Sequence, residues 1–383
     1  MDENPKNKKR GRRRLIRFAC SILSLAVLTY IAVALISGRQ TGLFSFFGLF
    51  SKSDPVELAD EYHFDVGRGR VFADLGDSLA AAGTLGVQVL DAAGGETLRD
   101  SYRMARPAIS YMNGYAVAFD IGGTSARVFS KTEIIAAIEA PGAIISASIN
   151  KNGWFSVCTQ GGANSPGIIT AYNSKGTEVY KVYLASGYIL SSELSPDNRS
   201  LAILNITAGG SRITYYNLNN EDVDRVFDLP GGLIIDFRYL ANGDSLAIST
   251  ESLFIVNKSN VIKELYEFSG KHLGSYAFGD GFVVLCLLDY GVGYRGRLVT
   301  IKEDGSLLGE IESDKEALSI VSGDEYIAVL RNDKLAFYDT GLGELPAPDE
   351  AAASIGATRI LALGAGAILA TSDNSAVVIR IIM

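Results

Sequence analysis

Beyond residue 40 the chain shows no sustained 3.6-residue apolar period. It alternates instead between short apolar runs and polar turns. Runs such as Gly281-Phe282-Val283-Val284-Leu285 and Tyr326-Ile327-Ala328-Val329-Leu330 carry the β-branched and large apolar residues that suit strands. A turn rich in Gly, Asn and Asp precedes each such run: Gly76-Asp77, Asn113-Gly114, Asn152-Gly153, Asp197-Asn198, Asn242-Gly243, Asp280-Gly281, Gly323-Asp324 and Gly364-Ala365-Gly366. These residues supply the positive φ angles that tight hairpins need. A third strand in each unit ends near Asp91, Ser130, Asn173, Asn217, Asn257, Lys302, Asp339 and Arg380, at spacings of 39, 43, 44, 40, 45, 37 and 41 residues. Units of that length that cannot bury their own apolar faces must stack on their neighbours. The pattern therefore predicts an all-β, eight-bladed β-propeller, or a seven-bladed one if the final unit is miscounted.

The last unit holds three strands, about Arg359–Leu363, Ala367–Thr371 and Ala376–Ile382, and then the chain stops. An open edge strand is an aggregation hazard. The segment Tyr62–Val66, ahead of the first unit, is placed to pair there as a fourth strand and close the ring.

Phe18 to Ile36 is an uncharged, Leu-, Ile-, Val- and Ala-rich run of 19 residues. At a rise of ~1.5 Å per residue such a helix crosses a bilayer core. Residues 1–17 carry eight basic groups and two acids, so the positive-inside tendency keeps the N-terminus cytoplasmic and sends the rest outward. The competing reading is a cleaved signal peptide with Ala32-Val33-Ala34 as its cleavage site. Phe44, Phe46, Phe47 and Phe50 follow, as in a segment lying at the membrane interface. The expected organisation is a basic cytoplasmic tail (1–17), a transmembrane helix (18–37), an interfacial linker (38–60) and a propeller (61–383) in a single-pass cell-membrane protein with an extracytosolic domain.

Charge sharpens the division. The whole chain has a net charge of −8, so the residues after the +6 tail carry −14. An acidic body repels phosphate backbones, which argues against a nucleic-acid partner. Cys158 and Cys286 fall in second strands of different units and read as buried free thiols, while Cys20 lies in the apolar N-terminal run.

Ser195-Pro196-Asp197-Asn198, followed by Leu201-Ala202-Ile203, resembles the Ser-Pro-Asp-Gly-x-x-Leu-Ala turn of bacterial WD-like and YVTN-like propeller repeats. Asn198 stands where that turn has Gly, which still permits a left-handed conformation, and the Trp-Asp dipeptide of WD repeats is absent. The whole chain resembles an uncharacterised bacterial family of single-pass membrane proteins with an extracytosolic propeller. That resemblance brings no catalytic motif.

Asp120-Ile121-Gly122-Gly123-Thr124 is similar to the phosphate-loop signature of the sugar-kinase and actin-like ATPase superfamily. Here it sits between two predicted strands of the second unit, without the helices and further phosphate loops of that superfamily, and reads as a hairpin turn. Gly161-Gly162-Ala163-Asn164-Ser165-Pro166 is glycine-rich but no helix follows it, so it reads as a long hairpin loop. His63 and His272 are too few and too scattered for a metal cluster or a triad. The acid pairs Glu221/Asp222 and Asp349/Glu350 lie in turns and read as solvated. No cofactor and no metal is implied.

The strongest candidate for binding is the loop from Asp289 to Arg297, which brings Tyr290, Tyr294, Arg295 and Arg297 together. Tyr and Arg are the side chains that most often anchor interfaces. Equivalent connections in a propeller share one face, which adds Asp120, Gln160, Asn164, Arg212 and Arg331. The expected function is a membrane-tethered platform, scaffold or sensor that binds a protein, peptide or envelope polymer. The alternative is an extracytosolic enzyme, a glycan hydrolase or lyase or a quinoprotein-like oxidoreductase, using the central channel. A hydrolase there needs two carboxylates ~5–9.5 Å apart, and first-strand residues such as Glu193 and Asp236 are the ones to converge.

Overall fold

The computed structural model describes residues 62–162, 165–220, 222–289, 295–323, 325–348, 356–363, 366–372 and 376–380. Contacts separate the chain into Met1–Pro55 and Val56–Met383, and the described residues all belong to the second unit. The basic tail, the segment 18–37 and the linker predicted from the sequence lie outside the described residues. Among the described residues, no helix is long and apolar enough to cross a membrane.

The unit is all-β and forms eight blades. Seven are four-stranded antiparallel sheets whose strands neighbour one another in chain order; the eighth has three strands. In blade 1 they are Val71–Asp74, Ser78–Gly83, Gly86–Asp91 and Glu96–Ser101. The first strands of blades 2 to 8 are Pro107–Met112, Ile144–Ile149, Tyr188–Leu194, Ile234–Tyr239, His272–Phe278, Ala317–Ser322 and Arg359–Leu363. First strands of neighbouring blades pack together at seven seams, including that of blade 8 with blade 1, and Tyr276 bonds Asp236 across the seam between blades 5 and 6, so the ring is closed.

The repeat register has a physical basis at both hairpins. Ahead of the second strands, Asn113, Gly114, Gly153, Asn198, Gly243 and Gly281 all adopt positive φ. After the third strands, the polar residue folds the next turn onto itself. The Oδ1 atoms of Asp91, Asn173, Asn257 and Asp339 each accept the backbone N–H four residues on, at 2.7–3.1 Å. These Asx turns explain why the same residue types recur near every forty residues.

Burial follows strand rank. Every residue of Ser78–Gly83 is buried, and so are all but the last of Phe282–Leu288. A second strand is covered on both faces by adjacent blades and reads as a continuous apolar run. Fourth strands such as Glu96–Ser101 alternate toward solvent. The core is therefore a set of slabs between blades. Between blades 4 and 5 it holds Tyr215, Phe227, Phe237 and Phe254, the kind of side chain whose burial contributes about 1.5–3 kcal/mol each. Cys158 and Cys286 are buried free thiols in two other slabs.

Ring closure differs from the expected fourth strand. Tyr62 N–H donates to Ala376 O of blade 8 at 3.1 Å, but residues 62–66 form no strand. The segment is drawn onto blade 1 instead. Leu85 N–H donates to Val66 O, Thr84 N–H to Arg68 O, and Asp65 N–H to the Gln88 side chain. Tyr62 is only 3% exposed and packs with Leu79 and Leu90 of blade 1 and Leu369 and Val378 of blade 8. The segment thus works as a bolt across the seam between first and last blades.

Candidate functional site

In each antiparallel blade, the entry to the first strand and the turn between second and third strands lie at the same end. We call this end of the ring the upper face. Asp120, Gln160, Arg212, Arg295, Arg297 and Arg331 all belong to it, spread over blades 2, 3, 4, 6 and 7. Tyr290, Tyr294 and Asn164 lie outside the described residues.

The predicted residues do not form one constellation. Arg212 pairs with Asp228 on its own blade, with nitrogen–oxygen distances of 2.6 and 3.0 Å. Arg297 pairs with Glu310 on the neighbouring strand. Arg331 donates to the Tyr338 hydroxyl at 2.9 Å. Arg295 is exposed, and its carbonyl accepts Asp289 N–H. Gln160 is exposed at the end of its strand.

Asp120 is buried and structural. Its Oδ1 accepts the backbone N–H groups of Ala105 and Arg106 at 2.9 and 2.7 Å. The amides of the following glycines point inward as well. Gly122 N–H donates to Ile144 O of blade 3, and Gly123 N–H to Asp120 O. A phosphate loop needs free amides; here that of Gly122 fastens blade 2 to blade 3 and that of Gly123 closes its own hairpin turn.

Two cavities open along the axis. The upper one, about 1340 Å³, is lined by the entries to blades 8, 1 and 2. Its described lining includes Arg68, Arg70, Arg106 and Arg359 beside Phe72, Ile109, Ile360 and Leu361, and among the described residues no carboxylate. Sequence reasoning looked to the hairpin turns and missed these arginines. The available signal was an Arg at or just before the first strand in three units: Arg70 before Val71, Arg106 before Pro107, and Arg359 itself.

The lower cavity, about 240 Å³, is lined by Tyr111, Glu193, Asp236, Arg238 and Tyr239 among others. Glu193 and Asp236 do converge here from the first strands of blades 4 and 5. Asp236 accepts the Tyr276 hydroxyl at 2.9 Å and the Phe237 N–H at 2.8 Å. Glu193 accepts the Tyr239 N–H at 3.1 Å. Burial, reinforced by the negative charge of Asp236, pushes Glu193 up to about 8. Burial likewise raises Asp236, against the lowering effect of the Tyr276 bond. Both keep a little accessible surface, which the cavity supplies, yet both sit deep in the channel. The space is smaller than the ~300–1,000 Å³ of ordinary ligand pockets. The pair therefore reads as a proton-holding element of the ring and not as a substrate cleft. Among the described residues, no group of three His, Cys, Asp or Glu could hold a metal ion.

A family model described as "Family of unknown function (DUF5711)" matches residues 52–343. The structure is similar to that of BamB from Moraxella catarrhalis (TM-score 0.55, 16% identity, covering 85% of this chain and 97% of that one). It is also similar to the C-terminal WD40 domain of Sif2 (TM-score 0.58, 14% identity, covering 85% and 100%). At these identities the likeness concerns the fold alone. No curated protein matches the sequence.

Proposed function

We propose that this chain, which belongs to the DUF5711 family of unknown function, is a membrane-tethered platform whose propeller binds a protein partner through its upper face. One observation carries the reading. Leu85, Ile121, Tyr188, Leu233, Ile235 and Leu318 are large apolar residues exposed to solvent, and all six sit at the upper end of their blades. The other large apolar residues exposed among the described ones, such as Val179, Val223, Ile262 and Leu307, lie on fourth strands at the rim. Scattered exposed apolar residues need no explanation, but a set confined to one face of the ring marks an interaction surface. Tyr188, 77% exposed, is the natural anchor.

The tether is the apolar run Phe18–Ile36 behind its basic tail, which supports a cytoplasmic N-terminus and an extracytosolic propeller. The likeness to other propellers supports a disk that offers surface to a protein partner.

Two results are expected. The protein fractionates with membranes, and protease added to intact cells cleaves the propeller. The triple variant Leu85→Ser, Tyr188→Ser, Leu318→Ser loses a partner that co-purifies stoichiometrically with wild type, at an unchanged thermal midpoint. A propeller protected in intact cells contradicts the topology. A partner retained by the triple variant contradicts the face.

A further inference from the structure

We infer that the upper cavity is a binding site for an acidic peptide segment, with carboxylates held by Arg68, Arg106 and Arg359 and apolar side chains seated on Phe72, Ile109 and Ile360. The inference rests on the platform reading and names the chemistry that this face recognises.

Charge complementarity is the first argument. The chain after its basic tail carries −14, yet among the described residues the cavity wall holds four arginines and no acid. Among the described residues, no carboxylate makes an ion pair with Arg68, Arg106 or Arg359. Elsewhere on the upper face, Arg212 and Arg297 have their charges matched within their own blades by Asp228 and Glu310. The guanidinium groups of Arg68, Arg106 and Arg359, gathered in a concave wall without a described carboxylate partner, focus the local potential and attract anions. Their planar forks fit carboxylates in pairs of hydrogen bonds.

The cationic groups are also held in place. Arg106 takes its backbone position from the Asp120 carboxylate, and its Nε donates to Ile121 O at 3.0 Å. Gly122 lies directly beneath it: a Cβ there would stand 2.6 Å from Arg106 Nη2. The terminal nitrogens of Arg106 remain for a ligand. Arg68 is fixed through its backbone, which donates to Thr84 Oγ1 and accepts Thr84 N–H, each at 3.0 Å. Pre-set donors reduce the ordering cost of binding.

Size and lining select among anions. About 1340 Å³ is too large for a single phosphate or carboxylate ion and exceeds an ordinary small-ligand pocket. A long polyanion would leave the cavity and run onto an acidic body, which repels it. The wall interleaves arginines with Val71, Phe72, Pro107, Ile109, Ile360 and Leu361. A peptide that mixes acidic and apolar residues matches both components.

The test selects from a random dodecapeptide library on the purified full-length protein and measures the enriched peptides by fluorescence anisotropy. The expected result is enrichment of sequences that combine Asp or Glu with large apolar residues. Their affinity should fall at least tenfold in Arg68→Gln/Arg359→Gln and decline steeply with salt. Lys181→Gln, whose side chain pairs with Glu178 on the rim, should bind as wild type does. Both arginines are exposed and, among the described residues, outside any ion pair, so the double variant should keep the wild-type thermal midpoint. Enrichment of neutral or basic peptides overturns the inference. So does an affinity indifferent to the double substitution, or a preference for long-chain polyphosphate over every peptide. A partner still lost in the Leu85/Tyr188/Leu318 variant, without acidic-peptide binding, would defeat this inference and spare the platform reading. Acidic-peptide binding with no partner dependent on that variant would do the reverse.

Discussion

Replacing Glu193 with glutamine is expected to stabilise the protein at pH 8.5 and to change little at pH 4.5. In the folded ring the Glu193 carboxyl is held neutral up to about 8, by burial and by the charge of Asp236. In the unfolded chain it ionises near its ordinary value of ~4.3. Between those two values the folded state holds a proton that the unfolded state has lost. Stability then falls as pH rises, by at most about 1.4 kcal/mol per unit for this group. Below the window both states are protonated, and above it both are ionised, so the loss is confined to the interval and complete beyond it. The Glu193 side chain keeps some accessible surface, which softens the burial, and the net loss is on the order of 2–3 kcal/mol. Glutamine keeps an acceptor for the Tyr239 N–H and has no proton to lose. Thermal midpoints of wild type and Glu193→Gln, taken from pH 4.5 to 8.5, should diverge toward the alkaline end. Parallel curves would show that the carboxyl is not neutral in the folded ring.

The second large effect concerns the start of the third strands. Gly86 has a φ of +129°, and a Cβ there would lie 2.1 Å from the carbonyl oxygen of Asp100 on the fourth strand. Gly210 repeats the arrangement in blade 4, with φ +130° and Leu229 O at 2.2 Å. Gly296 in blade 6 would place its Cβ 2.0 Å from Leu287 O. Backbone atoms cannot give way without breaking the ladder. Gly86→Ala should therefore cost about 3 kcal/mol or more, combining strain at a sparsely allowed φ with a displaced strand. Gly281→Ala is the comparison: its φ is +78°, but nothing lies within 4 Å of the added carbon. It should cost only about 1 kcal/mol. Urea midpoints of the two variants measure the gap, and equal losses would contradict the close-packed reading of the third-strand entry.

The blade count was legible because its signals are local. Asp91, Asn173, Asn257 and Asp339 hold the turn that follows them through their own side chains. Asn113-Gly114 and Asn198 show their left-handed angles in residue type alone. Gly86 and Gly210 were visible as letters, but their purpose depends on a fourth-strand carbonyl that only the register brings close. The closing segment was placed at the correct seam, where Tyr62 meets Ala376. Its strand pairing was not foreseen correctly, because Thr84 and Leu85 of blade 1 compete for the same backbone.

The site was harder to read for the same reason. Arg212 and Arg297 look available in sequence, whereas Asp228 faces the first and Glu310 reaches the second diagonally across the sheet once the strands pair. The arginines of the upper cavity are the converse case. Arg70, Arg106 and Arg359 are far apart along the chain and meet only because blade 8 closes on blade 1. Glu193 and Asp236 were anticipated as channel residues, and they do meet. The small cavity and their bonds to Tyr239 and Tyr276 turn the pair toward proton holding.

Site-specific photocross-linking in intact cells tests the binding face most directly. A photoreactive residue would be placed at Leu85, Tyr188 or Leu318 on the upper face, and at Val223 or Leu307 on the rim. The account predicts a discrete adduct of the same partner from the three upper positions and none from the two rim positions. Adducts from the rim alone, or from neither set, would contradict it.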